Sequence, residues 1–188
     1  NRNYIIGAAV AGIFAVIAAI LHAPYRLARL TSFLDPWKAV REGGFQIIQS
    51  YIAFYNGNIF GTGLGNSKQK LFFLPEAHTD FILSVVGEEL GLIGVSFVIL
   101  CYLYLIKSGF EIAKSTSDCY KKYLSFGITT LISVQTSINM GVAMGLFPTK
   151  GMPLPFVSYG SSSLIVFIIA ASILNKIGRD ELHKVKKS

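Results

Sequence analysis

The sequence predicts an all-α fold, a polytopic integral membrane bundle of helices, and three observations carry that prediction. The chain is 52% apolar and only 14% charged, with a mean hydropathy of +0.54, whereas soluble domains carry roughly 25% charged residues. Four stretches are long and apolar enough to cross a bilayer core of ~30 Å, which takes about 20 helical residues. Many of the basic residues fall in short segments between those stretches, as in the cytoplasmic loops of membrane proteins. Backbone groups in lipid must be satisfied within their own segment, so the stretches are read as helices.

The first stretch is Tyr4–Leu21, without charge. The second is Phe81–Ile106, charged only at Glu88 and Glu89. The third, Tyr123–Phe147, is uncharged but polar at Gln135, Ser137 and Asn139, and the fourth is Phe156–Asn175. With flanking turns, the chain divides into spans 1–22, 81–106, 123–147 and 156–178. Between them lie a long loop 23–80, a loop 107–122, a short loop 148–155 and a basic tail 179–188. Four spans put both ends on one side, together with loop 107–122. That side holds ten Lys and Arg in short segments against seven on the other, so both ends are expected in the cytoplasm and loops 23–80 and 148–155 outside it. The formal charge of +7 is therefore read as topology, not as a nucleic-acid surface. The chain opens on "NRNYIIG" without Met, and a fragment of a longer polytopic protein is expected.

The long loop, about 59 residues if counted from His22, exceeds an ordinary connector. Within it "GFQIIQSYIAFYNG" spaces Phe45, Ile48, Ile52 and Tyr55 at helical intervals, with Gln46, Gln49 and Ser50 opposite. This predicts an amphipathic helix lying on the membrane or against the bundle. "NGNIFGTGLGNS" follows as a turn-rich run. No strand precedes it and no G-K-[ST] follows, so it does not read as a nucleotide loop. Cys101 and Cys119 match no metal or redox spacing and are read as reduced thiols.

Chemistry concentrates in two places. In "LPEAHTDF", Pro75 suits a first helical turn, which would set Glu76 and Asp80 four residues apart on one face. Two readings stand: an acidic turn offsetting the helix dipole, or a carboxylate site reached from the bilayer, with a raised pKa suited to a general base. His78 with Glu76 or Asp80 matches no zinc signature, and a magnesium or manganese ion held by a carboxylate and substrate phosphates fits better. Glu88 and Glu89 are too costly at membrane depth to face lipid. They are expected to hold the bundle together through Asn139, Gln135 or Lys150. The second place is "NMGVAMGLFPTKGMPLPFVSYGSSS", Asn139 to Ser163. Its prolines and glycines predict a shaped non-helical segment, buried or lining a cavity. Lys150 there is either a point charge for a phosphate or a solvated loop lysine.

These segments, "LGNSKQKLFFLPEAHTDFILSVVGEELG" and "NMGVAMGLFPTKGMPLPFVSYGSSS", together with "RLARLTSFLDPW", resemble the SEDS family (shape, elongation, division and sporulation) over essentially the whole chain. The "DPW", "GNSxQK" and "PTKG" forms resemble its FtsW/SpoVE division and sporulation branch more than its RodA branch. The resemblance implies a ten-span helical protein of the bacterial plasma membrane, with this chain as its last four spans. It implies a peptidoglycan glycosyltransferase acting on lipid II, with Asp80 as the essential carboxylate and undecaprenyl pyrophosphate as the leaving group. Candidate substrate-binding residues are then Glu76, His78, Lys70, Lys150 and Ser158, with Glu88, Glu89 and Asn139 structural. No cofactor is implied beyond a divalent cation. The implied partners are a class B penicillin-binding protein, divisome-type proteins and membrane lipid, with no nucleic acid. Two other roles remain open on the residues alone: a lipid II flippase, compatible with polar Gln135 and Asn139 inside a span, and a scaffold activating the penicillin-binding protein. One departure from the family is Ser161, where "SYGGSS" has glycine; a turn needing φ > 0 there would be strained by serine.

Overall fold

In a computed structural model of the chain, the described residues are Tyr4, Gly7, Gly12, Arg29, 32–40, 44–69 and 78–185. Among them there are helices, turns and loops but no strand. Four helices organise the fold: α1, Gly44–Gly57; α2, Ile82–Ser115; α3, Cys119–Ala143; and α4, Ser161–Val185. Two are long and apolar enough to cross a membrane, α2 and residues Ser161–Leu182 of α4. At 25 residues, α3 would reach about 37 Å, but it turns Ser125, Thr129, Thr136 and Asn139 into the protein interior. Most of the predicted first span, with Lys70 and Glu76, lies outside the described residues.

Helix ends differ from the hydropathy boundaries for local reasons. The apolar run stops near Ile106, but α2 continues to Ser115, since Lys107, Glu111 and Lys114 are solvated helix formers and Lys107 pairs with Glu111 at 3.8 Å. The predicted loop 107–122 shrinks to three residues between α2 and α3. Asp118 caps α3 by accepting from the backbone N–H groups of Tyr120 (2.8 Å) and Lys121 (3.2 Å). At its other end α3 stops at Ala143, not Phe147. Gly145 adopts φ 70°, its N–H donates to Val142 O at 3.0 Å, and the Leu146 N–H reaches back to Gly141 O at 2.7 Å, a Schellman cap. At its N-terminal end α3 is tied to α4 by Lys121, which pairs with Asp180 at 3.1 Å, and Lys176 within α4 pairs with the same carboxylate at 3.4 Å.

The sequence reads Phe81–Ile106 as one span, whereas in the structure the chain reverses within it. Beyond residue 91, α2 runs antiparallel to α3: Phe110 meets Phe126 with ring centroids 5.6 Å apart, Gly109 lies against Thr129, and Val95 shares a buried cluster with Ala143 and Leu83. Before residue 91 the direction is reversed. The Asp80 carbonyl accepts from Asn139, Phe81 and Val85 pack with Ile138 and Val142, and Ser84 shares the Ser50 hydroxyl with the Ala143 carbonyl. Residues 80 to 85 thus climb alongside residues 138 to 143 in the same sense. The chain doubles back at Gly91, whose φ 65° and ψ −162° lie in a region that essentially only glycine occupies. We call Ile82–Leu90 the first arm of α2 and Leu92–Ser115 the second. The second arm alone, at 24 residues, gives about 36 Å, enough for one crossing.

A broken helix leaves carbonyls and N–H groups unpaired, which is costly away from water. Here the turn-rich run after α1 inserts into the break and supplies partners for two of the freed carbonyls and two of the freed N–H groups. The carbonyls of Glu88 and Glu89, which would accept from residues 92 and 93 in a continuous helix, accept instead from Thr62 N (2.9 Å) and Gly63 N (3.0 Å). The N–H groups of Leu92 and Ile93 donate to Asn58 O (2.9 Å) and Ile59 O (3.3 Å). The loop is read in the sequence as turns, and its role here is to splice a helix. Its glycines permit the approach: a Cβ on Gly91 would lie 2.5 Å from both the Gly61 nitrogen and the Ile59 oxygen.

Helix α1 packs into the protein rather than lying on its surface. Its buried face is Ile47, Ile48, Ser50, Ala53 and Gly57, not the stripe ending in Tyr55, which is 85% exposed. Small residues win that face because the first arm passes so close that the Ser50 and Ser84 hydroxyls are 2.6 Å apart. Glu88 is also reassigned. It is 1% exposed, and its carboxylate accepts from the Ser67 hydroxyl and from Gln69 N at 3.3 Å, not from Asn139, Gln135 or Lys150. Glu89 is buried too, and its Oε1 has no hydrogen-bond partner among the described residues. Gly91→Ala should therefore destabilise the protein by about 1–3 kcal/mol from backbone strain alone, with the close contacts adding to that. Thermal unfolding of the full-length protein checks it, and a wild-type midpoint would contradict the splice.

Candidate active site

The fold-back delivers the "HTDF" turn into the bundle. Residues 78–81 form a turn, and the first arm starts at Ile82. Asp80 therefore precedes the helix, and no acidic residue stands in its first turn. The expected pairing of Glu76 with Asp80 on one helical face falls on Glu76, which lies outside the described residues. Asp80 is half-buried, and a Cβ on Gly151 would be 3.5 Å from its Oδ2, so the carboxylate borders the "PTKG" segment.

That segment, Thr149 to Gly160, is held from every side. Asn139 donates from Nδ2 to the carbonyls of Asp80 (3.0 Å) and Met152 (2.6 Å). Gln135, one turn earlier on α3, donates to Pro153 O at 3.0 Å. The Tyr102 hydroxyl donates to Pro155 O, and Arg29 donates to Thr149 O at 3.1 Å. Polar residues inside apolar helices are thereby spent on the carbonyls of a non-helical segment, as its burial demands. Leu154 and Pro155 are buried in consequence, and Phe156 takes φ 66°.

Ser158, expected to bind substrate, is buried and braced in place. Its hydroxyl donates to Thr79 O and accepts from Leu154 N at 2.7 Å, tying the loop to the Asp80 turn. Tyr159 N adds a bond to His78 O at 2.9 Å. His78 is exposed and opens on a pocket of about 440 Å³, lined with Ile82, Phe156, Tyr159, Ser161 and Leu164. Lys150 is exposed beside Gly151. Ser161 begins α4 and is not among the positive-φ residues, so the serine carries no strain there. Since α4 is antiparallel to α3, Ser161 starts at the level of Met140 to Val142, close to that of Asp80. The first arm and α4 thus leave one level in opposite directions, both N-termini turned toward the site.

The structure thus gathers His78, Asp80, Lys150, Ser158 and Asn139, and sets Glu88 and Glu89 apart at the splice. Among the described residues no three His, Cys, Asp or Glu side chains group to hold a metal ion. The bracing roles of Tyr102, Gln135 and Ser158 are not read from the sequence. The available signal is the i, i+4 pair Gln135 and Asn139 in an apolar helix, followed by a loop rich in carbonyls that proline leaves unpaired. Ser158→Ala removes one donor and one acceptor from buried backbone and should cost about 1–3 kcal/mol. A thermal midpoint unchanged in the full-length protein would show the brace to be dispensable.

Comparison with known proteins matches residues 1–183 to the model of the FtsW/RodA/SpoVE cell cycle protein family. A protein of Geobacter metallireducens named "Probable peptidoglycan glycosyltransferase FtsW" is 52% identical over 172 residues, covering 92% of this chain and 46% of that protein. The namesake of Geobacter sulfurreducens is 48% identical over 175 residues, covering 93% and 47%, and that of Methylomonas methanica 47% over 167 residues, covering 86% and 43%. A solved chain described under "Structural coordination of polymerization and crosslinking by a peptidoglycan synthase complex" superposes with a TM-score of 0.70 at 26% identity, covering 96% of this chain and 49% of that one. The chain spans about half the length of the curated relatives it matches. The chain belongs to the FtsW/RodA/SpoVE family of cell cycle proteins.

Proposed function

We propose that this chain is the catalytic half of a peptidoglycan glycosyltransferase that polymerises lipid II, with Asp80 as its general base. The observation that carries this reading is the position of Asp80: a half-buried carboxylate at the start of a helix arm that doubles back into the bundle, bordered by a braced glycine- and lysine-bearing loop. Names of relatives over half their length point to the same reaction. In it, Asp80 takes the proton of the acceptor GlcNAc 4-hydroxyl as that oxygen bonds to the anomeric carbon of a second unit's MurNAc. The bond from that carbon to phosphate breaks, and undecaprenyl pyrophosphate leaves with the bonding electrons. Positive charge near the leaving group lowers the barrier. Lys150 and the two helix N-termini at this level suit that task, with Lys70 from outside the described residues as a further candidate.

The same reading places the protein in the bacterial plasma membrane as a multi-pass bundle, with the Asp80 level reached from the outer leaflet and both ends of this chain in the cytoplasm. It pairs the enzyme with a class B penicillin-binding protein, which the peptidoglycan synthase complex of the structural neighbour favours. The rest of the substrate cavity then comes from the other half of the protein, and this half alone is expected to be inactive. Removing a positioned general base typically costs 10²–10⁴-fold. Full-length protein carrying Asp80→Asn, with its partner in liposomes and labelled lipid II, should lose polymer by about that factor while remaining assembled. Polymer at the wild-type rate would remove Asp80 from the chemistry and reopen the flippase and scaffold roles.

A further inference from the structure

We infer that Asn139 is a positioning residue for Asp80, an inference that rests on the proposed role of Asp80. Asn139 is 2% exposed. Its side-chain amide donates at once to the carbonyl of Asp80 itself and to that of Met152, next to the glycine that borders the Asp80 carboxylate. One planar NH₂ group thus fixes the spacing between the base and the loop opposite it. Both acceptors are carbonyls, so the group must supply two donors, which a carboxylate or hydroxyl cannot do. The cost is visible on the same side chain: Oδ1 is buried without a hydrogen-bond partner among the described residues. A residue serving only to fill space would be apolar and avoid that cost.

Gln135 supplies the internal comparison. It sits one turn earlier on α3 and holds the same loop through Pro153, and among the described residues it makes no bond to the Asp80 turn. If Asn139 acts only by holding the loop, loss of either amide should have like effects. If it aims Asp80, Asn139 should matter far more.

The test uses the full-length protein with its partner in liposomes, measuring the lipid II dependence of polymerisation alongside thermal unfolding. Asn139→Ala should lower turnover about tenfold or more with the half-saturating lipid II concentration within about twofold, the pattern of a transition-state contact. Gln135→Ala should lower turnover by less than about threefold. Asn139→Gln keeps both donors but shifts them by one methylene; it should unfold near the wild-type temperature and still lose about tenfold. It decides the matter if Asn139→Ala does not fold. Equal losses in Asn139→Ala and Gln135→Ala, or wild-type turnover in Asn139→Gln, would overturn the inference. A fully active Asp80→Asn protein would instead overturn the proposed function, and this inference with it.

Discussion

The structure depends on a backbone requirement: a helix broken inside a packed, apolar bundle must have its freed hydrogen-bonding groups satisfied. At Gly91 the splice from residues 58–63 supplies two donors and two acceptors in register. With those bonds made, α2 can reverse without leaving polar backbone stranded, and the first arm can run beside α3 in the same sense. Without them the energetically simpler state is a continuous helix, which would carry Asp80 away from Asn139 and Gly151. The glycines at 61 and 91 and the buried Glu88, which anchors the far end of the splicing loop through Ser67 and Gln69, all serve that one geometry.

The second half of the chain answers the same requirement differently. The segment Thr149–Gly160 has prolines at 153 and 155 and no helix of its own, so its carbonyls look to side chains. Asn139, Gln135, Tyr102, Ser158 and Arg29 come from helices and loops on all sides to meet them or the turn beside them. The polar side chains that hydropathy marks as flaws in a span are the ones that build the site. A rigid, buried framework is what a carboxylate needs if it is to meet a hydroxyl of a lipid-borne sugar in one orientation.

The sequence made the helical class legible, because apolar runs of membrane length leave few alternatives. Through the resemblance of "HTDF" and "PTKG" to known motifs it also pointed to Asp80, whose role as base is proposed. It did not reveal the reversal. Gly91 sits in "EELGLIG", where a lone glycine reads as a tolerated helix residue; its φ and ψ become legible only once residues 58–63 are known to reach it. For the same reason the sequence points Glu88 to Asn139, Gln135 or Lys150, whereas the structure pairs it with Ser67 and Gln69 of the splicing loop. On α1 the large apolar residues at helical spacing read as the inward face, but close approach to the first arm selects Ser50, Ala53 and Gly57. Glu76 and Lys70 remain as expectations from the sequence.

The doubling back of α2 is what holds Asp80 within the bundle. The direct measurement is the distance between spin labels at His78→Cys and Leu100→Cys, both exposed sites, in full-length protein with Cys101 and Cys119 replaced. The fold-back sets both labels near the level of Asn139, on neighbouring elements whose axes lie about 8–10 Å apart; with linker lengths, roughly 10–20 Å is predicted. A continuous helix through Gly91 would separate them by about 30 Å at 1.5 Å per residue, and a distance distribution centred there would rule out the fold-back.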